Sequence, residues 1–266
     1  MTTTTDLIKI TPRTATTQNY PRLAFCSAIT PATSEHYSHL REAGIDTASI
    51  CLGLSGYNHY KFSVIHTNLA RQAGMTTHAF YVTDLNEITD DLYQLSNRFC
   101  KLGYSVQSKI TIWVTSNRYI KDKEERINEL IDLISRWHNR ELIDVAFYKR
   151  DIDAGMYNLS KLPKMINLTI INCNALSAGI VEAGTWIYTT NMGDDTQVLA
   201  YDYYGYYTDH SGYQLSLVDT DYIVQKGDTW LSIARRHGIP VNDLMSLNRA
   251  ADIAENLFEG QVVRIA

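Results

Sequence analysis

Apolar and polar positions follow two alternating periods over most of residues 21–220. Short apolar runs at 23–28, 47–52, 76–82, 109–114, 143–148, 167–172, 185–188 and 198–204 read as eight strands. Helical spacing separates the early runs. Tyr37 and Leu40 begin the first stripe, and Gly44 is placed to end it. Phe62, Ile65, Leu69 and Ala73 follow, closed by Gly74. Leu85, Ile88, Leu92, Leu95 and Phe99 form a third stripe, behind an expected capping box of Asp84 and Glu87. Ile127, Leu130, Ile131, Ile134 and Trp137 form a fourth. Beyond 150 the helical pattern weakens or disappears.

Strand–helix alternation predicts parallel strands with crossover helices, hence an α/β protein. Eight strands point to a (β/α)-type barrel with weak or missing late helices; an open doubly wound sheet is the alternative. Phe25-Cys26-Ser27-Ala28 after the first strand lacks the glycines of a pyrophosphate loop, which removes the usual nucleotide reading.

Composition narrows the classes further. With 45% hydrophobic and 20% charged residues, the 266-residue chain can bury a large core. A net charge of −5 argues against a dedicated nucleic-acid binder. No apolar run is long enough for a membrane span. The Thr-rich segment 1–20 has no apolar run and does not read as a secretory signal. The expectation is synthesis in the cytoplasm and action at a cell wall or in a virion. Cys26, Cys51, Cys100 and Cys173 form no CxxC pair and read as reduced, mostly buried thiols. Cys26 has only its position at a strand end to suggest a nucleophile. His59, His66 and His78 make no metal motif and read as surface residues; no metal or cofactor is implied. Eighteen tyrosines against six phenylalanines suit half-buried loops, sugar-stacking surfaces or ordinary cores.

Residues 222–266 read as a separate strand–helix–helix–strand unit. It opens on Tyr222-Ile-Val-Gln-Lys-Gly227-Asp228-Thr229-Trp230 and closes on Gly260-Gln-Val-Val-Arg-Ile265. Gly227 permits the turn out of the first strand, and Thr229 or Asp228 can cap the helix near Trp230. Trp230, Ile233 and Ala234 fit one buried face, and Leu244 and Leu247 another. The stretch resembles the LysM module, with Trp230-Leu231 where that family more often has Leu-Trp. The resemblance implies binding of N-acetylglucosamine-containing glycans such as peptidoglycan. It places the groove at Gly227, Asp228, Thr229 and Trp230 on one side and Asn248 with Ile253 on the other. Thr229 and Asn248 can equally be helix caps.

The larger region, 21–220, resembles the family 25 glycoside hydrolases, the muramidases of the Chalaropsis lysozyme type. Arg41 to Ile50, the helix from Phe62 to Met75, and His78 to Val82 carry the likeness, with Tyr201 and Val218-Asp219 near the end. Glycoside hydrolysis needs two carboxyl groups flanking the scissile bond. The resemblance places them at the ends of the first and fourth strands. Here Phe25-Cys26-Ser27 offers no acid, Trp113 and Thr115 stand at the fourth-strand positions, and Tyr81 replaces the family's third-strand His. From Lys101 to Asn117 there is no Asp or Glu, so a small slip in alignment does not restore the motif. Asp202 and Asp219 remain as rim acids; Asp151, Asp153, Asp194 and Asp195 read as loop carboxylates. Trp113, Tyr81, Tyr201, Tyr203 and Tyr204 are aromatic candidates for a residual groove.

The expectation is a cell-wall-directed binding protein, phage-encoded, with an inactive muramidase-like domain and a glycan-binding LysM module. The alternatives are an active peptidoglycan hydrolase using other acids, and a structural tail or baseplate component that contacts phage proteins.

Overall fold

The computed structural model describes residues 20–117, 119–163, 166–208, 221–224, 227–237, 239–248, 257 and 261–265. The described residues fall into two compact units, one ending at 208 and one beginning at 221.

The first unit is a closed eight-stranded barrel. In chain order it comprises β1 (Arg22–Cys26), α1 (Ser34–Glu42), β2 (Thr47–Leu54), α2 (Phe62–Gln72), β3 (Thr76–Thr83), α3 (Ile88–Lys101), β4 (Ile110–Val114) and α4 (Lys123–Ile134). Then come β5 (Ile143–Tyr148), the short α5 (Lys149–Asp153), β6 (Asn167–Ile171), β7 (Thr185–Met192) and β8 (Asp195–Asp202). The barrel expectation holds, with one difference. Strands β1 to β7 are parallel, but β8 pairs antiparallel with both β7 and β1. Only Gly193 and Asp194 separate β7 from β8, too few residues for the crossover a parallel pair needs.

The helices show where apolar spacing misleads. Thr33 caps α1 through a bond from the His36 amide, and Gly44, at φ 75°, turns the chain out of its end. The Asp84–Glu87 capping box does not form. α3 starts at Ile88, and Asp84 instead accepts from the amide of Asn86. In α2 the face turned inward is Ser63, His66, Thr67 and Ala70, while Ile65, expected to be buried, is 40% exposed. Tyrosine hydroxyls explain the rotation. Tyr37 Oη lies 2.9 Å from His66 Nδ1, and Tyr104 Oη lies 2.8 Å from Thr67 Oγ1. Large rings fill the space beneath the helix, and their buried hydroxyls find partners on it. His66 and His78 are therefore interior residues, not surface ones.

The second unit pairs β9 (Asp221–Ile223) antiparallel with β10 (Val262–Arg264), with α6 (Trp230–His237) and α7 (Val241–Leu247) between them. Val224, Trp230, Ile233, Ala234, Leu244, Met245 and Val263 form its core. Met245 takes the buried place expected for Leu247, which is exposed.

Candidate functional site

Successive side chains on a strand point to opposite faces, so alternation decides what the C-terminal mouth of the barrel contains. Phe25, Phe80, Trp113, Ile171, Ile187 and Val198 project inward and surround one cavity of about 390 Å³. Tyr60 and Tyr148 extend its wall, with Ser27 and Thr190 among its few polar groups. The rings pack edge to face or tilted: Phe25 and Phe80 are 5.6 Å apart, Phe80 and Trp113 5.5 Å, Trp113 and Tyr148 6.2 Å. Among the described residues, no carboxylate lines this cavity.

Two of the positions where the resemblance expects acids or their neighbours, Phe25 and Trp113, are thus part of an apolar wall. Thr115 lies just beyond β4; its hydroxyl donates to the carbonyl of Thr83, and its own carbonyl accepts from Tyr157. Tyr81 departs from its expected place. It points outward into the helix layer, where its hydroxyl donates to Asp91 at 3.2 Å. Asp91 also accepts from Ser55 and Thr83, at 2.7 and 2.6 Å. Burial pushes its carboxyl up, and those hydrogen bonds work against the rise. Asp151 accepts from the Ser116 hydroxyl. Both buried acids near this end of the barrel are thus engaged in bonds that tie loops to helices, while the half-buried Asp84, just past β3, accepts from Asn86.

The other buried acids occupy the opposite end. Asp144, fully buried, accepts from Tyr207 Oη at 2.5 Å, Thr169 Oγ1 at 2.7 Å and Asn167 Nδ2 at 2.9 Å. Burial lifts its carboxyl to about 6, and the three hydrogen bonds limit the rise. Asp202 is not at the rim. It is fully buried at the floor, accepting from the amides of Tyr206, Tyr207 and Thr208, and so folds the chain after β8 into a plug. Tyr201 faces away from the interior, stacked on Tyr188 at 4.3 Å. Tyr203 is buried beside Tyr20, and Tyr204 is half exposed. Asp219 lies outside the described residues.

Cys26 is no nucleophile. Its thiol faces the helix layer, 4.0 Å from Gln197 Oε1, and burial pushes it up to about 12. The nearby imidazole of His36 is held by Asp195 and Gln197, each at 2.9 Å.

In the second unit, Gly227 has φ 87° and starts the loop that leads into α6. Thr229 is the cap: its Oγ1 accepts from the Ser232 amide at 3.1 Å while Ser232 Oγ accepts from the Thr229 amide at 2.9 Å. Asp228 is tied down by Tyr222 Oη at 2.6 Å and Arg236 Nη2 at 3.0 Å. The Trp230 side chain is buried in the core. Asn248 closes α7, its Nδ2 donating to the carbonyl of Leu244 at 2.7 Å. Gly227 and Thr229 are exposed. Ile253 lies outside the described residues.

The cavity walls at Tyr60, Tyr148, Ile187 and Val198 escaped the sequence reading. Counting by twos from Phe25 or Trp113 along neighbouring strands is the signal that finds Tyr148, Ile187 and Val198; Tyr60 lies in the loop before α2, where no such period applies.

Residues 222–266 match the LysM domain model. The barrel has the fold of family 25 muramidases. It is similar to the modular autolysin LytC from Streptococcus pneumoniae at 14% identity and a TM-score of 0.54, covering 68% of this chain and 46% of that one. The chain thus spans less than half of that autolysin, which has also been solved with a synthetic peptidoglycan ligand. The catalytic domain of endolysin ply40 from bacteriophage P40 of Listeria monocytogenes is similar at 11% identity and a TM-score of 0.58, covering 69% of this chain and 93% of that one. A family 25 glycosyl hydrolase from Bacillus anthracis is similar at 12% identity and a TM-score of 0.54, covering 69% and 89%. A search of curated proteins gave no match.

Proposed function

We propose that this is a cell-wall-directed binding protein. Its LysM module takes N-acetylglucosamine-containing glycan such as peptidoglycan, and its muramidase-like barrel does not hydrolyse it. The LysM match supports the first half, and the observation that carries the second is the mouth. Hydrolysis by this fold needs one carboxyl group to protonate the leaving oxygen and another to stabilise or attack the oxocarbenium-like centre. The cavity offers Phe25 and Trp113 instead, and neither an indole nor a phenyl ring can do this work. Asp91 and Asp151 are engaged elsewhere, and Asp144 and Asp202 are sealed at the far end. A phage source is part of this reading; the barrel fold itself is shared by a phage endolysin domain and by bacterial enzymes alike.

Sedimentation with purified peptidoglycan tests the binding half; protein left in the supernatant contradicts it. Zymography on cell walls tests the other half, and a cleared zone contradicts it.

A further inference from the structure

The mouth of the barrel has lost the features of a sugar site but not its depth. Its wall is built from aromatic rings and branched aliphatic side chains, and Ile29 on its rim is 54% exposed. A sugar's hydroxyls would find few partners there, whereas hydrocarbon would lose nothing by entering. An engineered apolar cavity of ~150 Å³ holds one benzene, so about 390 Å³ suits a chain of roughly a dozen carbons. One guanidinium, ion-paired at one edge, stands beside the mouth. The guanidinium of Arg150 lies 4.8 Å from the ring centroid of the wall residue Tyr148, and its side chain is largely exposed. Asp151 stands 3.7 Å from the Arg150 Nε; the Nη end makes no hydrogen bond among the described residues.

We propose that the mouth binds a free single-chain amphiphile with an anionic head: an aliphatic carboxylate whose tail fills the cavity and whose head pairs with Arg150. The proposal does not rest on glycan binding by the LysM module.

Calorimetric titration of the full chain with dodecanoate tests it. Saturable one-to-one binding is expected. Cys173→Phe places a ring in the cavity from a partly exposed wall position and is expected to weaken binding by at least about tenfold. Thr190→Trp, at an exposed wall position, serves the same purpose should the first variant fail to fold. Arg150→Gln is expected to weaken dodecanoate, and dodecyltrimethylammonium is expected to bind about tenfold more weakly than dodecanoate. No saturable binding, or equal affinity in the folded cavity-filling variant, overturns the site. Equal affinity for the two head groups overturns the role of Arg150. Sedimentation with phosphatidylglycerol vesicles, but no uptake of dodecanoate, overturns a free amphiphile in favour of a membrane surface.

Discussion

Tyr207 Oη donates to Asp144 Oδ2 at 2.5 Å across the floor of the barrel, joining the plug after β8 to the start of β5. Thr111 Oγ1 sits 2.6 Å from the same phenol oxygen, so the hydroxyl belongs to a chain of buried polar groups at the floor of the barrel. Such a chain fixes the plug in one arrangement, and breaking it leaves a buried group without a partner. Tyr207→Phe is expected to destabilise the barrel by about 1–3 kcal/mol, read as a lower denaturant midpoint with an unchanged slope.

Asp144 also gives the fold a pH dependence of known sign. Its folded carboxyl sits at about 6 against an ordinary 3.8, so the unfolded chain releases this proton more readily. Its contribution is therefore complete below about pH 4 and is lost as pH rises through 6, by on the order of 2–3 kcal/mol. His66 and His138 work in the opposite direction. Burial pushes both down, so their contribution is lost as pH falls through the ordinary histidine range. The difference between wild type and Asp144→Asn isolates the carboxyl. Unfolding midpoints at pH 5 and pH 8 are expected to show a smaller loss toward high pH in the variant.

The interior face of α2 makes a third test. Tyr37→Phe removes the partner of His66 Nδ1 while keeping the ring that fills the core, at a cost of about 1–3 kcal/mol. Ile65→Ser on the exposed face of the same helix is expected to change stability little, by roughly half a kcal/mol or less. Equal effects at the two positions would contradict the helix rotation described above.

Much of this was legible in the sequence, and the misses share a cause. Eight apolar runs and a LysM-like tail gave the architecture because periodicity and turn glycines are local signals. The side on which a residue lies is not local. Tyr81 and Phe80 are neighbours in sequence, yet one bonds Asp91 under a helix and the other lines the cavity. Asp202 looked like a rim acid because a β/α barrel is expected to end with its last strand pointing to the mouth. The antiparallel β8 carries Asp202 to the floor instead. The polar face of α2 was hidden because its partners, Tyr37 and Tyr104, lie about thirty residues or more away in sequence.

Thiol chemistry separates three of the four cysteines. Cys100 is exposed, whereas burial pushes Cys26 up to about 12 and Cys51 to about 11. A maleimide is expected to modify Cys100 in the native protein at neutral pH and to reach Cys26 and Cys51 only with denaturant, as read by mass spectrometry.

In the LysM module, caps and core predict different losses. Thr229→Ala removes one helix cap and is expected to cost about 1 kcal/mol with the module still folded. Trp230→Ala empties the centre of a small core, at about 3–5 kcal/mol, and is expected to abolish retention by unfolding the module.

The most direct measurement follows one incubation of the full chain with purified peptidoglycan, assaying the pellet for protein and the supernatant for new reducing ends. Protein in the pellet with no reducing ends above the blank is the expected result. New reducing ends that persist in the wild type and vanish on substitution of Asp91 or Asp151 would contradict it and restore a working acid to the barrel.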